Sequence, residues 1–219
     1  MFTLSKKIFW IVGLVVICIV GVIVLTDANQ KSTVIDVEGQ PFLGEESAPV
    51  DIIEFGDYKC PSCKDFNDRL FPVIYKELVE TGKAKFYFMN YSFINIDSNR
   101  SAQFAETVYQ ELGNDKFWTF HELLFSKQPE DLTYEKKDLY TESFLEEVLA
   151  EVATEEETNK VMQSFGESKG KEAWEKDMKT ANNLGVSSTP TIFISGKQFT
   201  GSTLDDFTKM VEEAAASGK

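Results

Sequence analysis

The sequence is predicted to form an α/β protein in which a helical block interrupts a strand-containing domain. Short apolar runs rich in β-branched and aromatic residues lie in two separate parts of the chain, whereas residues 98–170 carry the spacing of amphipathic helices. An uninterrupted apolar run at residues 8–25 precedes both. The predicted order is one N-terminal transmembrane helix, then β, α, β, a helical block, and β, β, α.

The apolar run has the length of a membrane span. At a helical rise of about 1.5 Å per residue, residues 8–25 extend about 27 Å, close to the thickness of the hydrocarbon core. Lys6 and Lys7 precede the run, and flanking lysines favour the cytoplasmic side. The sequence therefore predicts a single-pass protein of the cell membrane whose main domain lies on the extracytoplasmic side.

A cleaved signal peptide is the alternative for this segment. The run is longer than the usual apolar core of a signal peptide, and Thr26-Asp27-Ala28 lacks the small-x-small form of a cleavage site. Residues 1–25 are therefore predicted to be a retained anchor. Residues 26–47 are polar and are predicted to be a tether.

The first strands flank a helix. Residues 50–55 form an apolar strand, and residues 84–91 form a second one. Between them lies a helical pattern that Pro72 should kink, because proline lacks a backbone N–H, and that Gly82 should end. A further short strand is predicted at 34–37.

The helical block is the predicted insertion, residues 98–170. Two capping boxes are predicted within it, one pairing Ser143 with Glu146 and the other pairing Thr154 with Glu157. The rest of the domain then follows. Its predicted elements are a helix at 171–184 ended by Gly185, strands at 191–194 and 198–200 joined by a Ser195-Gly196 turn, and a closing helix at 204–216. Residues 48–97 and 171–216 would together form the α/β domain.

Charge and cysteine content restrict the function. A net charge of −14 argues against nucleic-acid binding and against lying flat on an anionic bilayer. Of the three cysteines, Cys18 lies inside the apolar run, where it is expected to act as a small apolar residue. The remaining two, Cys60 and Cys63, are three residues apart, and a domain of this size needs no disulfide for stability.

The Cys60-Pro61-Ser62-Cys63 motif predicts thiol–disulfide chemistry. Placed at a helix N-terminus, Cys60 would be stabilised as a thiolate by unpaired backbone N–H groups and by the helix dipole. Cys63, one turn later, would lie on the same side but be less accessible. Cys60 is therefore the predicted attacked sulfur and Cys63 the resolving one, with Pro61 and Ser62 tuning the pair.

Half of a zinc site is the main alternative for a CxxC motif. Such a site needs two further ligands, and outside the apolar run the chain has no other cysteine and a single histidine, His121. His121 lies in a phenylalanine-rich helical segment and is expected to be packed there. No metal site is predicted.

Two segments carry a resemblance to a known family. Residues 54–63 read EFGDYKCPSC, and residues 185–193 read GVSSTPTIF. Together they resemble the DsbA-type thiol–disulfide oxidoreductases, most closely the membrane-anchored Gram-positive members called BdbD. The resemblance covers residues 40–216. It implies a thioredoxin fold carrying a helical insertion domain.

The resemblance also implies roles for individual residues. Pro190 would be a catalytic cis-proline facing the cysteine pair, and Thr189 would offer its backbone to an extended substrate segment. Pro61 and Ser62 join Thr189 and Pro190 as candidate substrate-binding residues. The best-known DsbA has histidine at the position of Ser62, so a cationic neighbour for the thiolate is missing.

Glu54 is a further catalytic candidate. DsbA-like proteins carry a buried acid at this position near the resolving cysteine, and such a carboxyl could relay the proton of Cys63. The alternative is a glutamate that faces outward from the strand. Aromatic residues near Tyr58 and Phe199 are candidates for a substrate surface.

The implied activity is the introduction of disulfide bonds into exported proteins that carry free cysteine pairs. The redox-active disulfide would be the only redox group, with no further cofactor, and a quinone-linked membrane oxidase of DsbB type would restore it. One alternative is an extracytoplasmic disulfide reductase or isomerase, for example in cytochrome maturation. The other is a non-catalytic chaperone module that binds extended peptides.

Overall fold

The computed structural model describes residues 32–218. The predicted transmembrane span at 8–25 and Cys18 lie outside the described residues. Within residues 32–218, no helix is both long and apolar enough to cross a bilayer.

A five-stranded mixed sheet forms the centre of the described domain, in the order β1-β3-β2-β4-β5. The strands are β1 (Phe42–Leu43), β2 (Val50–Gly56), β3 (Ala84–Asn90), β4 (Thr191–Ile194) and β5 (Lys197–Gln198). Only β2 and β3 run parallel to each other, and the other pairs are antiparallel. The central strand β2 is buried along nearly its whole length, as its continuous apolar sequence requires when both sheet faces are covered.

The crossover between β2 and β3 is a helical run, α1, at residues 61–79. It alternates α-helical and π-helical segments: Pro61–Asp65, Phe66–Leu70, Phe71–Ile74 and Tyr75–Val79. Pro72 lies at the start of the third segment, where its missing N–H interrupts the regular pattern, and the preceding Phe71 N–H bonds five residues back to Phe66. The predicted disturbance at Pro72 is therefore present as a change of helix type.

The helical block lies between β3 and β4. Its helices are α2 (Ile96–Leu112), α3 (Asn114–Ser126), α4 (Glu142–Ala150), α5 (Glu155–Gly166) and α6 (Lys171–Asn183), with a 3₁₀ turn at Leu132–Lys136. Helix α2 is central and packs against α3, α5 and α6. A closing helix, α7 (Leu204–Ala216), packs against β2 and β4. The main hydrophobic core fills the space between the sheet and these helices.

One of the two predicted capping boxes is confirmed and the other is wrong. Thr154 and Glu157 cap α5 reciprocally. Helix α4 instead begins at Glu142, because the side chain of Thr141 accepts a hydrogen bond from the Phe144 N–H. Thr141 is therefore the cap, two residues before the predicted one.

The predicted strand at 34–37 is absent, and its place is taken by β1, which pairs with β3 at the sheet edge. Val34 is 96% exposed, whereas Ile35 and Val37 are half-buried and pack against the core, but the segment forms no strand. Gln40, in contrast, is buried and donates a hydrogen bond to Asp177. The predicted tether therefore does not extend over residues 40–47, which belong to the domain.

Candidate active site

The two cysteines lie where β2 passes into α1. Cys60 has extended backbone angles and caps the helix, and Pro61 occupies the first turn. Cys63 follows one turn later and is fully buried, whereas Cys60 is 6% exposed. Both carry free thiols in this structure. The predicted placement at a helix N-terminus is observed, and Cys60 is the more accessible sulfur.

The surroundings shift the pKa values of the two thiols in opposite directions. The pKa of Cys60 falls from its ordinary 9.0 to about 6, because hydrogen bonds from the Cys63 side chain, the Thr189 side chain and backbone N–H groups outweigh burial. Burial, together with the hydrogen bond to Cys60 and the charge of Glu54, raises the pKa of Cys63 well above that value. Cys60 is therefore the thiol that loses its proton first as the pH rises.

The second motif of the sequence lies directly beside the first. Strand β4 pairs antiparallel with β2, with Thr191 opposite Phe55, so the loop before β4 faces the cysteine loop. The Thr189-Pro190 peptide bond is cis. The Cys60 sulfur lies 3.3 Å from the Thr189 carbonyl oxygen. That carbonyl accepts a hydrogen bond from the thiol only while the thiol is protonated.

The four predicted substrate-binding residues flank Cys60 and its contact: Pro61 and Ser62 follow Cys60 in the chain, and Pro190 follows Thr189, whose carbonyl oxygen lies 3.3 Å from the Cys60 sulfur. Pro61, Thr189 and Pro190 are half-buried, and Ser62 is exposed. Backbone and side chains from two distant parts of the sequence thus meet at one accessible edge. This edge can receive an extended chain segment.

Glu54 points into the protein, which decides between the two alternatives left open by the sequence. Its side chain is buried, and its Oε1 has no hydrogen-bond partner among the described residues. Burial, followed by the charge of Cys60, raises the pKa of this carboxyl well above its ordinary value. The charge of Glu54 in turn raises the pKa of Cys63, so the carboxyl and the resolving thiol interact electrostatically.

The loop before Cys60 is held by two buried residues that the sequence analysis did not single out. The carboxylate of Asp57 accepts hydrogen bonds from the backbone N–H groups of Lys59, Phe93 and Ile94, which ties the loop to the end of β3. The Lys59 side chain is fully buried, and its Nζ lies 2.9 Å from Asp97 Oδ2. Both residues belong to the quoted motif, but nothing in that motif indicates their partners.

Neither of the two residues that mark the candidate aromatic substrate surface, Tyr58 and Phe199, is itself exposed. Tyr58 is fully buried, and its hydroxyl lies 3.0 Å from His121 Nδ1. His121 is packed among aromatic rings as expected, and burial lowers its pKa to about 3, so it is neutral. Phe199 is half-buried and packs against the ring of Phe207.

Within residues 32–218, no group of three or more His, Cys, Asp or Glu side chains is arranged to hold a metal ion. A separate buried cluster of two carboxylates and two amides links β3, α2 and α6. Its members are Gln40, Asn90, Glu106 and Asp177. The cluster does not contact either cysteine through any of its hydrogen bonds.

Comparison with known proteins identifies the family. A model of the family described as Thioredoxin matches residues 36–213 of this chain. Disulfide bond formation protein D of Bacillus subtilis (strain 168) is 37% identical over 161 residues, which cover 74% of this chain and 70% of that protein. The chain belongs to the thioredoxin family.

Solved structures share its fold. The crystal structure of oxidised BdbD from Bacillus subtilis matches with a TM-score of 0.77 at 32% identity, covering 84% of this chain and 97% of that one. The fold also matches that of Chlamydia trachomatis DsbA, with a TM-score of 0.70 at 20% identity over 85% and 97% of the two chains. The predicted thioredoxin fold with a helical insertion is confirmed. This DsbA-like protein is a thiol–disulfide oxidoreductase.

Proposed function

We propose that this DsbA-like oxidoreductase acts as an oxidase, which introduces disulfide bonds into exported proteins through a Cys60–Cys63 disulfide. The observation that carries the proposal is the contrast between the two thiols. Cys60 has a pKa of about 6, so its thiolate is stable at neutral pH, and Cys63 is buried with a raised pKa. A stabilised thiolate favours the reduced enzyme, which makes the disulfide form a strong oxidant.

The exchange consists of two successive attacks by substrate thiolates. A substrate thiolate attacks the Cys60 sulfur of the oxidised enzyme, the Cys60–Cys63 bond breaks, and Cys63 leaves with the electron pair. A second substrate thiolate then attacks the substrate sulfur of the mixed disulfide. Cys60 leaves as a thiolate, the substrate gains its disulfide, and two electrons remain on the enzyme. The low pKa of Cys60 makes it a good leaving group.

In this mechanism Pro190 and Thr189 are proposed to align the substrate, with Pro61 and Ser62 at the same surface. The support is their arrangement around the Cys60 sulfur. An extended substrate segment would pair with the Thr189 backbone, as strand addition requires. The cysteine pair is proposed to be the only redox group.

Glu54 is proposed to relay the proton of Cys63. When Cys63 leaves as a thiolate, it has to gain a proton in a fully buried position. The carboxyl of Glu54 is buried and its pKa is raised well above the ordinary value, so in this proposal it supplies that proton. The same carboxyl would take the proton back when Cys63 is reoxidised.

The setting of the reaction is also a proposal. We infer that the apolar run at residues 8–25 anchors the chain in the cell membrane, with the catalytic domain on the extracytoplasmic side. A quinone-linked membrane oxidase of DsbB type would reoxidise the dithiol. An anchored enzyme meets such a partner by diffusion in one plane, which supports this assignment.

The redox potential of the full chain, measured in detergent by equilibration with glutathione and thiol trapping, tests the direction of transfer. We expect a potential well above the glutathione value and close to that of strong disulfide donors, about −120 mV. A potential close to that of thioredoxin, about −270 mV, would assign the protein to the reductases instead.

The chaperone alternative is tested with a Cys60→Ser variant. For an oxidase, this change should abolish disulfide formation in a reduced substrate protein while leaving the fold intact. If the variant assists refolding of the substrate as well as the parent does, the cysteine pair is not the working group.

A further inference from the structure

The three peptide carbonyls that precede α1 all face hydrogen-bond donors from the helical insertion. The side-chain amide of Gln128 donates to Tyr58 O at 2.7 Å and to Cys60 O at 3.2 Å. The Tyr134 hydroxyl lies 2.9 Å from Lys59 O. Two insertion side chains therefore orient every peptide unit between Tyr58 and Pro61, since each unit is planar.

Gln128 is itself held in place from both ends. Its backbone N–H donates to Phe125 O at 3.1 Å, at the end of α3, and its side chain is 5% exposed. The Tyr134 hydroxyl also lies 2.8 Å from Gln128 Oε1. Since Tyr58 O and Cys60 O can only accept, the amide end that faces them is the NH₂ group, and its two hydrogens match the two carbonyls.

The orientation of these peptide units bears directly on the reactive sulfur. The backbone N–H groups of Ser62 and Cys63 lie in the first turn of α1 and help to lower the pKa of the Cys60 thiol, although the sulfur makes no capping hydrogen bond of normal geometry with them. Those N–H groups follow the Cys60–Pro61 peptide unit, whose carbonyl also accepts from the Lys64 N–H at 3.1 Å. If the Cys60 carbonyl rotates, the first helical turn moves with it, and the donors leave the sulfur.

We propose that Gln128 is a positioning residue for thiol–disulfide exchange, which holds the start of α1 in the orientation that stabilises the Cys60 thiolate. Tyr134 assists through its single hydroxyl proton, which is shared between Gln128 Oε1 and the intervening Lys59 carbonyl. The helical insertion thereby controls the chemistry of a cysteine that belongs to the thioredoxin core. This role rests on the thiol–disulfide exchange activity of the family and sets how stable the Cys60 thiolate is in that reaction.

The test compares Gln128→Met with Gln40→Met in the full chain. Methionine keeps the shape of glutamine but removes the amide donors. Gln40 is a matched control because it is equally buried, 5% exposed, and bonds to Asp177 rather than to the cysteine loop. The readouts are the pKa of Cys60 from the ultraviolet absorbance of its thiolate, the equilibrium with glutathione, and the free energy of unfolding.

For Gln128→Met we expect the pKa of Cys60 to rise by about 0.5 to 1, as the loss of one well-placed hydrogen bond implies. The equilibrium constant for oxidising glutathione should fall about 3- to 10-fold, since the reduced enzyme loses the same stabilisation. Gln40→Met should lower stability without either effect. If Gln128→Met lowers stability only, as the control does, the residue is structural and the proposal is overturned.

A second variant keeps the proposal testable if Gln128→Met folds poorly. Tyr134→Phe removes only the hydroxyl, and it should move the pKa of Cys60 in the same direction by a smaller amount. In the double variant the two effects should not add, because the hydroxyl acts partly through the amide. A Tyr134→Phe variant with the parental pKa and the parental glutathione equilibrium would contradict the proposal.

Discussion

Glu54 and Lys59 are both buried and lie five residues apart on either side of the turn that leads to the cysteines, yet their surroundings differ completely. Lys59 has Asp97 at 2.9 Å and donates to the carbonyls of Tyr134 and Lys137. Glu54 has an oxygen with no hydrogen-bond partner among the described residues. One buried charged group is fully paired, and the other is not.

The difference separates a structural role from a chemical one. A buried ammonium group with three acceptors is tied to one geometry, so Lys59 fastens the cysteine loop to the insertion. A buried carboxyl without a cation has a raised pKa and responds to nearby charge, and Glu54 senses the state of Cys60 in this way. Burial alone therefore does not distinguish a scaffold residue from a reactive one.

The largest expected effect comes from breaking the paired group. Lys59→Met leaves the Asp97 carboxylate buried without its cation and two carbonyls without their donor. We expect a loss of about 3 to 5 kcal/mol in the free energy of unfolding, measured by urea denaturation. Adding Asp97→Leu to this variant should recover part of the loss, because no unpaired charge then remains. A loss below 1 kcal/mol would mean that the pair contributes no more than a surface one.

Replacing the unpaired group should have a smaller effect of opposite sign. Because the folded-state pKa of Glu54 is above its ordinary value of 4.5, the folded state keeps the proton to higher pH than the unfolded state does. Its contribution to stability is therefore lost as the pH rises from about 4.5 towards the folded-state pKa, by about 1.4 kcal/mol per pH unit. Glu54→Gln lacks this titration, so the variant should gain stability over the reduced parent protein as the pH rises.

Urea denaturation of both proteins at a series of pH values measures this gain. The Cys60→Ser background serves as the control, because removing the thiolate removes the second cause of the raised pKa. In that background the gain should stop growing at a lower pH. A difference between Glu54→Gln and the parent that does not change with pH would show that Glu54 titrates normally.

The smallest expected effect concerns an exposed ion pair in the same part of α1. Lys64 lies 2.8 Å from Asp68 one turn on, and both side chains are partly exposed. We expect Lys64→Met to change the free energy of unfolding by less than about 0.5 kcal/mol. A change as large as that of Lys59→Met would show that proximity to the cysteines, rather than burial, determines how much stability is lost.

Local sequence patterns predicted most elements near the site. The apolar runs gave strands β2, β3 and β4 within a residue or two, and the Thr154–Glu157 box gave the start of α5. These features depend on neighbours in sequence, so the sequence contains the information. The Ser143–Glu146 box matched the same pattern and was wrong, because Thr141 offered an equally good cap two residues earlier.

The partners of the cysteine loop could not be predicted in this way. Gln128 and Asp97 each lie far from the loop in sequence, in segments with ordinary helical composition. The face on which Glu54 lies was equally undecided, because β2 is covered on both sides and shows no alternation of polar and apolar residues.

The sequence by itself determined the chemistry of this protein: two thiols one helical turn apart, a proline before a distant strand, and elements in the order of a thioredoxin fold with an insertion. Only the tertiary structure decided how reactive each thiol is. That depends on which donors reach the Cys60 sulfur, on the burial of Cys63 and on the burial of Glu54 without a partner. Such electrostatic effects depend on distances between residues remote in sequence, which are set only when the insertion packs against the sheet.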